Sequence, residues 1–237
     1  MTTPYILAVA CVCVSLLTAI LRVMDHRRQS FATKCVACVL FMLTAAFAAG
    51  QQAQPMDTPA KLMLAGLALG FVGDVFLGLA PLVPKEKNGL FSALGGVPFF
   101  VGHFFFVAAL LPGIPLRWPL LLLLPLLPAL FLLLQKANVF DLGKRLIPIM
   151  IYGLVLGAMM LASINYAAHI ADGPLGELPI GLLMWLSGIL FAVSDTSLFL
   201  RGFGKEKLAR FVPVFEFTVM LPYFAAQAIF ALAVAYV

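Results

Sequence analysis

Two carboxylates stand where a carboxylate is costly. "GDVFLGL" (Gly73–Leu79) and "SDTSLFL" (Ser194–Leu200) each set an aspartate in an otherwise apolar run, in the same small-Asp-x-x-Leu frame. A charge deep in a membrane helix costs about 2.5–3.5 kcal/mol on insertion scales, and such groups face a bundle interior or a water-filled cavity. An aspartate is too short to snorkel to the interface from there. Two carboxyls sharing one pocket titrate as a pair, so one can hold a proton while the other is ionised. That gives an acid and a base in one site.

Other polar residues lie at related depths. Counting along the apolar runs puts Asp74, Asp195, Tyr152 and Glu216 at one level, about 9 Å in from one face at 1.5 Å per residue. His103, Tyr223 and Gln227 fall nearer the midplane. Each has a plainer reading: the tyrosines as packing groups, His103 as an interhelical donor, Glu216 as a snorkelling partner of Arg210. A serine nucleophile at Ser194 or Ser197 lacks a histidine at an obviously matching depth. His26, His103 and His169 lie at three different depths, which excludes a three-histidine zinc site. Neither a metal nor another cofactor is implied. Cys35-x-x-Cys38 has no second pair and reads as apolar packing.

The elements that carry these residues are membrane helices. The chain is 63% hydrophobic and 11% charged over 237 residues, with a mean hydropathy of +1.09. A soluble domain has roughly a quarter of its residues charged, so lipid must be the solvent here. Eight apolar segments, near 4–21, 34–50, 60–80, 90–111, 116–134, 146–168, 178–200 and 211–237, approach the ~20 residues that span a bilayer. The expected fold is an all-α membrane protein of eight transmembrane helices, a single integral membrane domain over 1–237. The fifth segment carries three prolines and is expected to be kinked and lipid-facing. No Lys or Arg precedes Arg22, so the first segment reads as a retained helix rather than a signal peptide.

The net charge of +5 does not form a nucleic-acid patch. Thirteen Lys and Arg, Lys207 among them, fall in alternate connections, against Lys61 and Arg117 on the other side. That bias makes the rich side cytoplasmic and puts both termini outside. An internal repeat supports the count. At an offset of 121, Leu69, Val72, Asp74 and Leu77 meet Leu190, Val193, Asp195 and Leu198; at 124, Pro98, Phe99, His103 and Phe106 meet Pro222, Tyr223, Gln227 and Phe230. A displacement of four helices preserves orientation, so a 4+4 parallel repeat is expected.

Several stretches, taken in order, resemble the YhhN-like lysoplasmalogenase family of multi-pass membrane proteins. They are Lys34 before the second helix, "GLALGFVGDVFL", "FSALGGVPFFVGH", "PIMIYGLVLGAMM", "GILFAVSDTSLFL" and "VMLPYFAAQ". The resemblance implies hydrolysis of the vinyl ether bond of lysoplasmalogens to a fatty aldehyde and a glycerophospho-alcohol, in a cell membrane (the inner one in a bacterium). The matching positions are Asp74, His103, Tyr152, Ser194, Asp195, Tyr223 and Gln227. Pro222, Phe224 and Phe106 stand where the family pattern has hydroxyl-bearing residues.

On this reading Asp74 and Asp195 are the acid–base pair, and Tyr152, Tyr223 and Gln227 orient water and the ether oxygen. Lys34 and Arg145, on a basic rim, would hold the lipid phosphate as an ion pair. The partners are then a lysophospholipid substrate and the bilayer, with no nucleic acid. The rival reading is a proton-coupled transporter that uses the aspartates as its proton site.

Overall fold

The computed structural model describes residues 2–51, 55–139, 142–172 and 178–237; the side chains of Leu178 and Lys207 lie outside them. Eight helices follow in order: α1 Thr3–Val23, α2 Arg27–Ala49, α3 Thr58–Leu79, α4 Lys85–Leu110, α5 Leu126–Lys136, α6 Leu146–Ala171, α7 Leu178–Phe203 and α8 Val212–Ala233. Among the described residues eight spans are long and apolar enough to cross a membrane, the fifth counted over Trp118–Lys136. Large apolar side chains line the outside of the bundle, and several charged or polar ones are buried within its apolar core. Ile6, Val9, Phe47, Leu133 and Leu182 are exposed, while Lys34, Asp74, His103, Asp195 and Gln227 are buried. The chain is an all-helical, multi-pass membrane protein.

Two segments depart from expectation. The second helix begins at Arg27, not at residue 34, because the polar turn of Arg27, Arg28 and Gln29 stays helical beyond the apolar run. Lys34 therefore sits about two turns inside α2. The fifth segment is not one kinked α-helix. Its first part, Trp118–Leu123, is a 3-10 helix, and α5 starts only after Pro125. Pro119, Pro125 and Pro128 remove the donors that would join them.

Helix ends and kinks follow local chemistry. Asp57 caps α3, its carboxylate accepting from the backbone N–H of Ala60 at 3.0 Å, with Pro59 in the first turn. Pro98 and Pro222 lie inside α4 and α8 and deprive each helix of one internal hydrogen bond.

In the bundle, α3 packs along α4, α1 along α2 and α8, and α7 between α6 and α8; α2 also meets α8, and α4 meets α6. Gly73 and Gly95 let α3 and α4 touch backbone to backbone: a Cβ on either would lie 2.9 Å from the other's carbonyl oxygen. α5 packs along α6 and its own lead-in, and its Phe131 meets Phe199 of α7 edge-on at 5.3 Å between ring centroids. The Tyr5 and Tyr236 hydroxyls, 3.2 Å apart, bring both chain ends to one face of the bundle.

Candidate functional site: two buried aspartates flanking a closed crevice

Asp74, on α3, is held on all sides by donors. The Lys34 ammonium lies 2.8 Å from Oδ1. The Tyr223 hydroxyl donates to Oδ2 at 2.5 Å, and the Cys38 thiol approaches the same oxygen at 3.4 Å. Gln227, one turn along α8, donates from Nε2 to the Tyr223 oxygen at 2.8 Å. Charge, hydroxyl and thiol together make Asp74 an acceptor on both oxygens, as an ionised carboxylate is.

Asp195, on α7, has a different set. The Tyr152 hydroxyl of α6 donates to Oδ2 at 2.6 Å. His103 of α4 places Nε2 3.6 Å from that oxygen and 3.2 Å from the Tyr152 hydroxyl. Among the described residues no partner takes the other Asp195 oxygen. The two aspartates do not touch. Phe191, one turn before Asp195, stands between the clusters, edge-on to His103 at 5.1 Å and to Tyr223 at 5.4 Å between ring centroids.

The clusters meet across a crevice lined by Gly66, Gly70 and Gly102, by Phe99, Phe106 and Phe191, and by His103 and Gln227. It holds about 150 Å³ of unfilled space, none of it wide enough to seat a water. Among the described residues only two buried side-chain polar atoms lack a hydrogen-bond partner, His103 Nδ1 and Gln227 Oε1. Both belong to residues lining this crevice. Leaving such atoms unpaired costs about 1–3 kcal/mol each, so the fold maintains unsatisfied polarity here.

The crevice depends on glycine. A Cβ on Gly70 would lie 2.6 Å from Gln227 Nε2. Gly70→Ala should therefore push the Gln227 amide away from Tyr223 while leaving the fold intact. Turnover of the substrate should fall about tenfold with little change in melting temperature, a loss the size of one displaced polar contact. Gly96→Ala, which meets nothing within 4 Å, is the control and should be neutral or stabilising by up to about 1 kcal/mol. Melting curves and rates on both variants check this.

The remaining sequence-derived positions fall elsewhere. Lys34 is no rim residue; it is 6% exposed and bound to Asp74. Arg145 is exposed and stacks its guanidinium over Phe203 at 5.4 Å. Glu216 does not pair with Arg210, which lies over Phe211 at 4.7 Å. It pairs with Arg201 at 2.7 Å and Arg22 at 3.3 Å. Its side chain belongs to a separate cluster, about two turns of α8 away from Tyr223.

Ser194 donates to the Val219 carbonyl at 2.8 Å, joining α7 to α8. Ser194→Ala should cost about 1 kcal/mol of stability and leave catalysis unchanged. A large rate loss in a folded Ser194→Ala protein would return the serine to the chemistry.

Sequence reasoning missed Cys38, read as apolar packing, and Phe191. Both were detectable by spacing. Cys38 follows Lys34 by four residues and Phe191 precedes Asp195 by four, each on the same helix face.

An eight-helix membrane protein with two buried aspartates on either side of a closed, partly polar crevice is the class defined here. The chain belongs to the YhhN family, whose sequence profile matches residues 29–234. No curated protein and no solved structure matches it.

Proposed function

We propose that the protein hydrolyses the vinyl ether bond of lysoplasmalogens, releasing a fatty aldehyde and glycerophosphoethanolamine or glycerophosphocholine. The observation that carries this reading is the crevice. One wall presents a histidine nitrogen backed by Asp195; the other presents an amide backed, through Tyr223, by the Asp74 anion. YhhN family membership supports a hydrolase.

The chemistry needs a proton, an anion and a water. Protonation of the β-carbon of R–CH=CH–O–R′ gives R–CH2–CH=O⁺–R′. Water adds to the cationic carbon and loses a proton, and the hemiacetal R–CH2–CH(OH)–O–R′ collapses to R–CH2–CHO and HO–R′. His103 lines the crevice and its Nδ1 is buried without a hydrogen-bond partner, so the His103–Asp195 pair delivers the proton and takes it back from water. Tyr152 fixes Asp195 in place. The Asp74 carboxylate, paired with Lys34 at 2.8 Å, supplies the field that stabilises the oxocarbenium ion. Gln227 Oε1 accepts a hydrogen bond from the attacking water.

The crevice is too small for an alkenyl chain, so binding must part the helices around it. The transporter reading has no comparable account of the unpaired histidine nitrogen.

Hydrolysis in D2O tests the route. The aldehyde should carry one deuterium at C2, delivered by the acid, and His103→Gln should slow its formation by about 10²-fold or more, the usual weight of a general acid. Aldehyde without C2 deuterium, or undiminished turnover in His103→Gln, contradicts this mechanism.

A further inference from the structure

The phosphate of a lysophospholipid needs a cation, and neither basic residue first assigned to it is suited. Lys34 is consumed by Asp74, and Arg145 lies exposed over Phe203. A different pair is suited. Arg22 at the end of α1 and Arg201 near the end of α7 both reach one oxygen of Glu216 on α8, at 3.3 and 2.7 Å. Among the described residues neither guanidinium has another hydrogen-bonding or ionic partner. The cluster thus carries two positive charges against one negative, and it is largely enclosed. The side chains of Arg22 and Arg201 retain 15% and 20% of their exposure, and that of Glu216 10%.

Nearby groups do not cancel the excess. Asp25 is taken by Arg27 at 2.6 Å, and both are well exposed. An arginine fork has five donors, so each guanidinium keeps most of its N–H groups after the bond to Glu216. A pair of forks fixed by a shared carboxylate is preorganised for a tetrahedral oxyanion.

Position agrees with charge. Arg201 follows Asp195 on α7 by about six residues, roughly 9 Å of helix, and Glu216 precedes Tyr223 on α8 by about seven, roughly 10 Å. In a 1-alkenyl lysophospholipid six covalent bonds separate the vinyl carbon on oxygen from phosphorus. Since three backbone bonds span 3.8 Å, six reach about 7–8 Å when extended, and a phosphate oxygen and a guanidinium N–H close the remainder.

We propose that Arg22 and Arg201 form the phosphate clamp of the substrate, with Glu216 as the positioning residue that holds both guanidiniums toward the ligand. The phosphate then sits at the end of the bundle nearest α1's C-terminus. The vinyl ether lies at the level of the aspartates, and the alkenyl chain runs on along Gly70, Gly66 and Gly102. This inference rests on the lysolipid reading above for its ligand. The chemistry recognised is a phosphate ester anion, and the lipid headgroup is the source the enclosed setting favours over free phosphate.

Binding tests it without relying on turnover. The purified protein in mixed micelles is titrated with a saturated 1-alkyl lysophospholipid, with a 1-alkylglycerol lacking phosphate, and with inorganic phosphate. Wild type should bind the phospholipid more tightly than the alkylglycerol. R22Q and R201Q should each weaken the phospholipid about tenfold or more, the loss of a charge-assisted contact, and leave the alkylglycerol within about twofold. R201K, which keeps the charge but not the fork, should fall between. Melting curves confirm that each variant is folded.

Equal losses on both lipids would make the cluster purely structural and overturn the clamp, as would no loss on either. Inorganic phosphate binding as tightly as the lipid would overturn the headgroup assignment. If alkenyl substrates release no aldehyde yet arginine-dependent binding of the phospholipid persists, the hydrolase reading fails and the clamp stands.

Discussion

Asp195→Asn should lower aldehyde release from a lysoplasmalogen by about 10²–10⁴-fold, the range expected when a general acid loses its partner. Asparagine keeps the size and still accepts from Tyr152, but it carries no charge to balance a protonated His103. The fold should survive, because the change removes a buried negative charge rather than stranding one. Asp74→Asn should be comparably slow for another reason. It removes the anion that faces the oxocarbenium ion and leaves the Lys34 ammonium uncompensated in the same place. Its loss should therefore appear together with a lower melting temperature. Rates measured on both purified variants separate the roles, since only Asp74→Asn should combine slow turnover with instability. Full turnover in either folded variant would sink the two-aspartate account.

The second large effect falls on stability. Lys34→Met takes the counter-ion from a carboxylate that is 2% exposed and leaves it with hydroxyl and thiol donors alone. Breaking a buried pair from one side costs about 3–5 kcal/mol. Thermal melting in detergent should register that loss. The double variant Lys34→Met/Asp74→Asn should recover most of it, because no charge then remains buried, yet stay inactive. A Lys34→Met protein that melts like wild type would mean that Lys34 is not the counter-ion of Asp74.

What the sequence disclosed was depth. Residue spacing along a helix converts directly to distance along its axis, which put Tyr152 level with Asp195, and the two are hydrogen-bonded. It did not disclose azimuth, because successive residues turn through 100° and only packing decides which neighbour a side chain meets. Glu216 shows the difference. Arg210 lies on the 3-10 segment Glu206–Phe211, which carries its guanidinium over Phe211, while Arg22 arrives from α1 at the far end of the sequence to meet Glu216. Lys34 failed for a related reason. Hydropathy marks where a helix meets lipid, and α2 continues past that boundary through Arg27 and Arg28.

The packing also bears on the internal repeat. Asp74 is gripped from α2 by Lys34 and from α8 by Tyr223; Asp195 is gripped from α6 by Tyr152 and approached from α4 by His103. A shift of four helices carries α2 to α6 and α8 to α4, so each aspartate draws on the equivalent neighbours. We take this as support for a duplicated four-helix unit. Its weak point is α5, which packs mainly along α6 and reaches α7 through Phe131 on Phe199, whereas α1 packs along both α2 and α8. The prolines before and within α5 account for the departure.

The central claim is a vinyl ether hydrolase, and one comparison addresses it most directly. Purified protein is incubated with a 1-alkenyl lysophospholipid and, separately, with its saturated 1-alkyl analogue, and aldehyde is measured against released glycerophospho-alcohol. The account predicts equal amounts of the two products from the alkenyl lipid and neither from the alkyl lipid, whose ether has no β-carbon that can accept a proton. Folded protein that binds both lipids and releases no aldehyde from the alkenyl one would contradict it.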